Sequence, residues 1–207
     1  WMFLGFDLGM NSNGDKPLNR WQDAFVPMRL AQSLSEATLS SGKALVIAEQ
    51  VVLPNKVASP PNELPDWSIQ ATLVGLVLAG LFFISSKKET FFNALCVIFW
   101  FVSGLIGIAL LAVWIATEHY FVHGNENILL FSPFAWIALL LFFKRHKSST
   151  WFSAFTYSVK LLAALAALAV LIKLFPFGNQ NNGHWLLMAL PVQWVIVRTI
   201  NKKSFKK

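Results

Sequence analysis

The sequence predicts a mainly α membrane protein of about five transmembrane helices, with its N-terminus outside and its C-terminus inside. A small mixed α/β extracytoplasmic segment precedes the helices. Three observations lead to this class. Hydrophobic residues make up 56% of the 207 and charged residues only 13%, where a soluble domain carries roughly 25% charged residues. From residue 66 onward the apolar residues fall into stretches long enough to cross a bilayer. The lysines and arginines between those stretches collect in alternate connections.

Residues 1–65 read as water-facing, since the chain through Asp66 holds seven of the ten acidic residues. Trp1 to Leu8 is a short apolar run broken by Asp7, and Gly9 to Asp15 is a turn-rich loop. Asn19 is placed to cap a helix reaching about Leu39, which Pro27 would bend or interrupt. Ala44 to Leu53 is rich in β-branched residues and suits a strand. Pro54 to Pro65 carries four prolines and reads as an extended linker. Pieces this short make a poor independent core. With Trp1 in place of an initiator Met, the expectation is the tail of a larger domain.

Residues 66–207 form the membrane part. A spanning helix needs about 20 apolar residues, and the spans are expected at about 67–85, 91–116, 128–143, 155–176 and 185–200. Between the first two lie Lys87 and Lys88, between the third and fourth Lys144, Arg145 and Lys147, and after the fifth Lys202, Lys203, Lys206 and Lys207. The other connections, 117–127 and 178–184, contain no Lys or Arg. Positive charge favours the cytoplasmic side, so residues 1–65 face outward and the carboxyl tail faces inward. The net charge of +7 and the pI near 9.7 are thereby read as membrane topology, and no nucleic-acid partner is expected.

Few residues suggest chemistry. The outward connection holds Glu118, His119, His123, Asn125, Glu126 and Asn127, and His184 lies in the other one. His119 and His123 are four apart, so a helical turn would point them the same way. Two readings stay open for them: polar residues that meet water and headgroups, or a substrate-facing site. No metal is expected, because there is no HExxH and no fixed carboxylate spacing. Lys160 and Lys173, 13 residues apart along the fourth span, read as side chains snorkelling to opposite interfaces. Arg198 has the same reading. Cys96, the single cysteine, lies within the second span, where burial disfavours the thiolate, and reads as a packing residue. Ser103/Gly107 and Ala163/Ala167 have the spacing of close helix contacts. Trp67, Trp151, Phe152, Tyr157 and Trp185 sit near span ends as interfacial belts do. No phosphate loop, dinucleotide fingerprint or nucleophile elbow is present, and no cofactor is expected.

A resemblance adds a reaction. Trp1-Met2-Phe3-Leu4-Gly5-Phe6-Asp7-Leu8-Gly9, then Asp15-Lys16-Pro17, then Ala24-Phe25-Val26-Pro27 with Leu30, resembles the end of the periplasmic domain of Lnb-like bacterial lipoprotein N-acyltransferases. Thr117-Glu118-His119, followed by Asn125-Glu126-Asn127-Ile128-Leu129-Leu130-Phe131-Ser132-Pro133, resembles the outer loop and third span of their transmembrane domain. The resemblance implies an inner-membrane protein that moves an acyl chain from a phospholipid to the α-amino group of a lipoprotein's diacylglyceryl cysteine. It also implies a catalytic cysteine and histidine upstream of this chain, and neither has a match here. Glu118, His119, His123, Asn125 and Asn127 would then bind or orient substrate. The alternative is a non-catalytic membrane anchor or scaffold. A transporter fits less well, with no charged pair or inverted repeat in view.

Overall fold

The computed structural model describes residues 2–53 and 66–204, with side chains from Gly5 to Leu53 and from Asp66 to Lys202. The linker at 54–65 and the last tail lysines lie outside the described residues. Two compact units emerge, one of residues 1–15 with 66–207, the other of residues 16–65.

The smaller unit contains α2 (Arg20–Asp23) and α3 (Pro27–Glu36), α1 (Met2–Gly9) belonging to the larger one. Asn19 does cap a helix: its side chain accepts from Gln22 N at 2.8 Å, and Gln22 Oε1 accepts from Asn19 N at 3.1 Å. Pro27 ends that helix early and starts the next, because a proline lacks the N–H an interior position needs but fits a first turn. Arg20 reaches back to Glu36 at 2.9 Å, an exposed pair of little energetic weight. The strand expected at Ala44–Leu53 does not form. One antiparallel bridge, Thr38 to Ala44, is the β structure among the described residues. A β-branched run without a partner strand has no ladder to join.

The larger unit is helical: α4 (Ser68–Ser85), α5 (Glu89–Ala116), α6 (Asn127–Leu130), α7 (Ala135–Lys144), α8 (Ser149–Leu171, continued by a 3₁₀ turn through Leu174) and α9 (Gly183–Ser204). Four segments are long and apolar enough to cross a membrane: Ser68–Ser85, Glu89–Ala116, Asn127–Lys144 and Ser149–Leu174. Their outward faces are as apolar as their inward ones. Leu73, Val77, Ile98, Leu105, Leu140 and Leu161 all lie exposed, a pattern that water disfavours and lipid accepts. The fifth expected span lies within α9, which is helical throughout but more polar, carrying Gln193, Arg198 and Asn201.

Packing follows the small residues. A methyl group on Gly75 would lie 2.5 Å from the Leu187 carbonyl oxygen, so α4 lies backbone to backbone on α9. One on Gly107 would lie 2.2 Å from the Phe131 carbonyl oxygen. Gly107 thus forms a close contact with the break between α6 and α7, and Ser103 is buried one turn before it. That break is Phe131 to Phe134, where Pro133 leaves carbonyls unpaired and Gln193 Nε2 donates to Leu130 O at 3.0 Å. The Ala163/Ala167 pair is not the contact face of α8. Ala166 and Ala169 are buried there and Ala167 is exposed. The core's centre is aromatic, with Trp100 edge-on to Phe142 and Phe155, contacts worth about 0.5–1.5 kcal/mol each.

Candidate functional site

The short connections of an antiparallel bundle bring the segments 117–126 and 175–182 to one end, and α1 lies across that end. A helix finishes with carbonyls that have no intrahelical partner. At the end of α1 the amides of the two connections supply the donors. Asn125 Nδ2 donates to Leu8 O at 2.8 Å, and Asn127 Nδ2 to the same oxygen at 3.1 Å. Gln180 Nε2 donates to Met10 O at 2.8 Å. Asn11 returns the contact: its backbone N–H donates to Phe121 O at 2.6 Å and its side chain to Tyr120 O at 2.7 Å. Asn11, Asn125, Asn127 and Gln180 are all buried, so each lost bond would leave a polar atom without water.

A second layer locks the connections together. Asn182 Nδ2 donates to Asn127 Oδ1 at 2.8 Å, and Glu126 N donates to Gln180 Oε1 at 2.8 Å. Lys173 forms an ion pair with Glu126 and donates to Gln180 O at 2.6 Å. Lys173 therefore does not snorkel to an interface: a carboxylate and a carbonyl inside the protein are nearer partners than bulk water. Lys160 and Arg198 are exposed, their cations over the Tyr157 and Trp194 rings.

The third group is acidic and aromatic. His184 Nε2 lies 2.7 Å from Asp7 Oδ2, off the line of a good hydrogen bond, and Trp185 Nε1 donates to the same oxygen at 3.1 Å. Burial holds the Asp7 carboxyl above the usual carboxylate range; His184 and the Trp185 bond oppose the shift, and Asp15 adds to it. Asn182 Oδ1 is buried with no hydrogen-bond partner among the described residues.

The residues singled out from the sequence therefore divide. Asn125 and Asn127 are buried in the network. Glu118 and His119 are exposed on the connection, and His123 is half-buried with Nε2 2.9 Å from Thr117 O. The two histidines do not share a helical face, because residues 117–126 form turns and Gly124 takes a left-handed φ of 69°. Asp7, Asn11, Gln180 and Asn182 were missed, and Lys173 was expected at an interface. The signals for them were the amide-rich stretch Asn179-Gln180-Asn181-Asn182 and a lysine and a glutamate at neighbouring span ends. No three His, Cys, Asp or Glu side chains converge as a metal ion needs among the described residues.

Beside the network an apolar cavity of about 380 Å³ opens between α1 and α5, lined by Phe6, Leu8, Met10, Ile106, Leu110 and Val122. Its lining suits hydrocarbon. Cys96 does not line it: ten residues of α5 separate Cys96 from Ile106, the first α5 residue of the lining, about 15 Å of helix.

A family model described as the Lnb transmembrane domain matches residues 67–204. The chain belongs to the Lnb transmembrane domain family. No curated protein and no solved structure matched the chain. The match begins at Trp67, one residue before α4, and ends with α9. The Lnb transmembrane domain thus supplies Asn125, Glu126, Asn127, Lys173, Gln180, Asn182 and His184. Asp7 and Asn11 come from outside the matched region and complete the network.

Proposed function

We propose that the chain is the membrane part of a lipoprotein N-acyltransferase. In this reading it crosses the bacterial inner membrane five times, with the loop end at the periplasmic face and the carboxyl tail in the cytoplasm. The observation that carries the reading is the family match over residues 67–204. The lack of Lys and Arg in the 117–127 and 178–184 connections supports the orientation. The donor is a phospholipid and the acceptor the diacylglyceryl cysteine of a lipoprotein. The phospholipid's acyl ester breaks, an amide forms at the cysteine α-amino group, and the amine proton passes to the departing alcohol of the lysophospholipid.

Both substrates hold acyl chains in the bilayer, so a bundle that seats one at the interface turns a two-body encounter into a local one. The cavity between α1 and α5 has the apolar lining for such a chain. Glu118 and His119, exposed at its end of the bundle, are assigned to headgroup or amine contacts, with His123, Asn125 and Asn127 holding the connection in place. Cys96 is 1% exposed at the opposite end of α5, so the nucleophile is assigned to a part of the protein outside residues 1–207.

The test is Glu118→Ala and His119→Ala in the full-length protein, with lipoprotein N-acylation followed by mass spectrometry. Acylation is expected to fall while the protein level holds; unchanged acylation removes these residues from substrate handling. The anchor alternative is tested by exchanging the spans for unrelated ones, which a mere anchor tolerates and a substrate-seating bundle does not.

A further inference from the structure

At the end of the bundle opposite the loop network lies a cavity of about 290 Å³. Its floor is aromatic: Phe92 and Trp100 are 2% exposed, and Phe142 and Phe155 close around them. Its mouth is polar, with Glu89, Asn93, Arg145 and His146. The Arg145 guanidinium lies over the Phe142 ring, 3.5 Å from its centroid, and donates one N–H to Phe142 O at 2.6 Å. A guanidinium has five N–H donors in a planar fork. Glu89 can take at most two of them in a bidentate pair, so donors remain at the mouth.

These features select a ligand. A cation fork above an aromatic floor fits a molecule with a phosphate at one end and hydrocarbon at the other. Glu89 repels a second negative charge, which favours a singly charged phosphodiester over a phosphomonoester or free phosphate. A bilayer presents that molecule at the depth of this mouth, and basic pockets between membrane helices hold lipid headgroups. We propose that this cavity binds one glycerophospholipid from the leaflet at the basic end, its phosphodiester on Arg145 and the start of an acyl chain against Trp100 and Phe155. The site is separate from the loop network and independent of the reaction proposed above.

The test uses the full chain, purified in a nonionic detergent and freed of lipid. Cys96 is the single cysteine and lines this cavity, so its slow reaction with an excess of a small thiol reagent reports whether the cavity is filled. Native mass spectrometry counts bound lipid in the same samples. Phosphatidylglycerol is expected to bind saturably as one molecule and to slow Cys96 modification. Diacylglycerol, which lacks the phosphate, and inorganic phosphate, which lacks the chains, are expected to leave both readouts unchanged. Arg145→Gln should raise the lipid concentration for half-protection about tenfold, the loss of a charge-assisted bond, and Lys147→Gln should leave it unchanged. The proposal is overturned if phosphatidylglycerol neither binds as a single saturating molecule nor protects Cys96, if diacylglycerol or phosphate protects equally, or if Arg145→Gln binds lipid as the unaltered chain does. The three ligands decide the matter on the unaltered chain even if Arg145→Gln does not fold.

Discussion

Lys173→Met isolates the ion pair that ties the 3₁₀ turn after α8 to the start of α6. Lys173 and Glu126 side chains are 23% and 10% exposed, so the variant leaves a mostly buried carboxylate facing Gln180 with no cation. Breaking a fully buried pair costs about 3–5 kcal/mol. Partial exposure of the lysine reduces this, and about 2–3 kcal/mol is expected. For a chain of this length each kcal/mol moves the midpoint by roughly 2–4 °C, giving a fall of about 4–12 °C. Thermal unfolding in detergent, followed by circular dichroism, measures it. Glu126→Gln in the Lys173→Met background removes the orphaned charge and should recover more than half of the loss, because an amide still accepts from Gln180 N. The reasoning is refuted if Lys173→Met unfolds within about 1 °C of the unaltered chain, well short of the fall that conversion gives. It is equally refuted if the two substitutions are simply additive, since a pair without coupling energy is no pair.

Other tests address different parts of the molecule. The Asp7 carboxyl is raised above its ordinary 3.8, chiefly by burial. A carboxyl raised on folding stabilises the fold below its unfolded pKa, and that contribution is lost as pH rises through the folded value. The midpoint of the unaltered chain should therefore decline as pH rises from about 3.8, relative to Asp7→Asn; parallel curves would show that Asp7 carries no such linkage. At Gly107 a methyl group would meet the Phe131 carbonyl oxygen at 2.2 Å, whereas at Gly80 nothing lies within 4 Å. Gly107→Ala should destabilise by about 1–3 kcal/mol or more, and Gly80→Ala should stabilise by about 0.5–1 kcal/mol. Opposite signs in one unfolding assay are expected; two changes of the same sign would refute the packing assigned to α5.

The helices of the membrane part were legible because apolar runs of this length have few other uses. Expected limits at 67–85 and 91–116 became α4 at Ser68–Ser85 and α5 at Glu89–Ala116. Asn19 and Pro27 were legible because capping and proline chemistry act within one turn. The strand at Ala44–Leu53 misled because a β-branched run needs a neighbour, and that run meets a single bridge partner. In the candidate site, Asn125 and Asn127 stood out as polar residues in an apolar context. Asp7 and Gln180 did not, being more than 100 and 50 positions away in the chain.

Composition, apolar length and charge placement by themselves determined that this is a helical membrane protein, since each acts through local transfer energies. Only the tertiary structure decided which polar side chains meet. Lys173 turns from a snorkelling residue into the partner of Glu126, and the amides of two connections become the cap of α1. A buried polar group must find its partner wherever the fold brings one, and sequence distance carries no record of that.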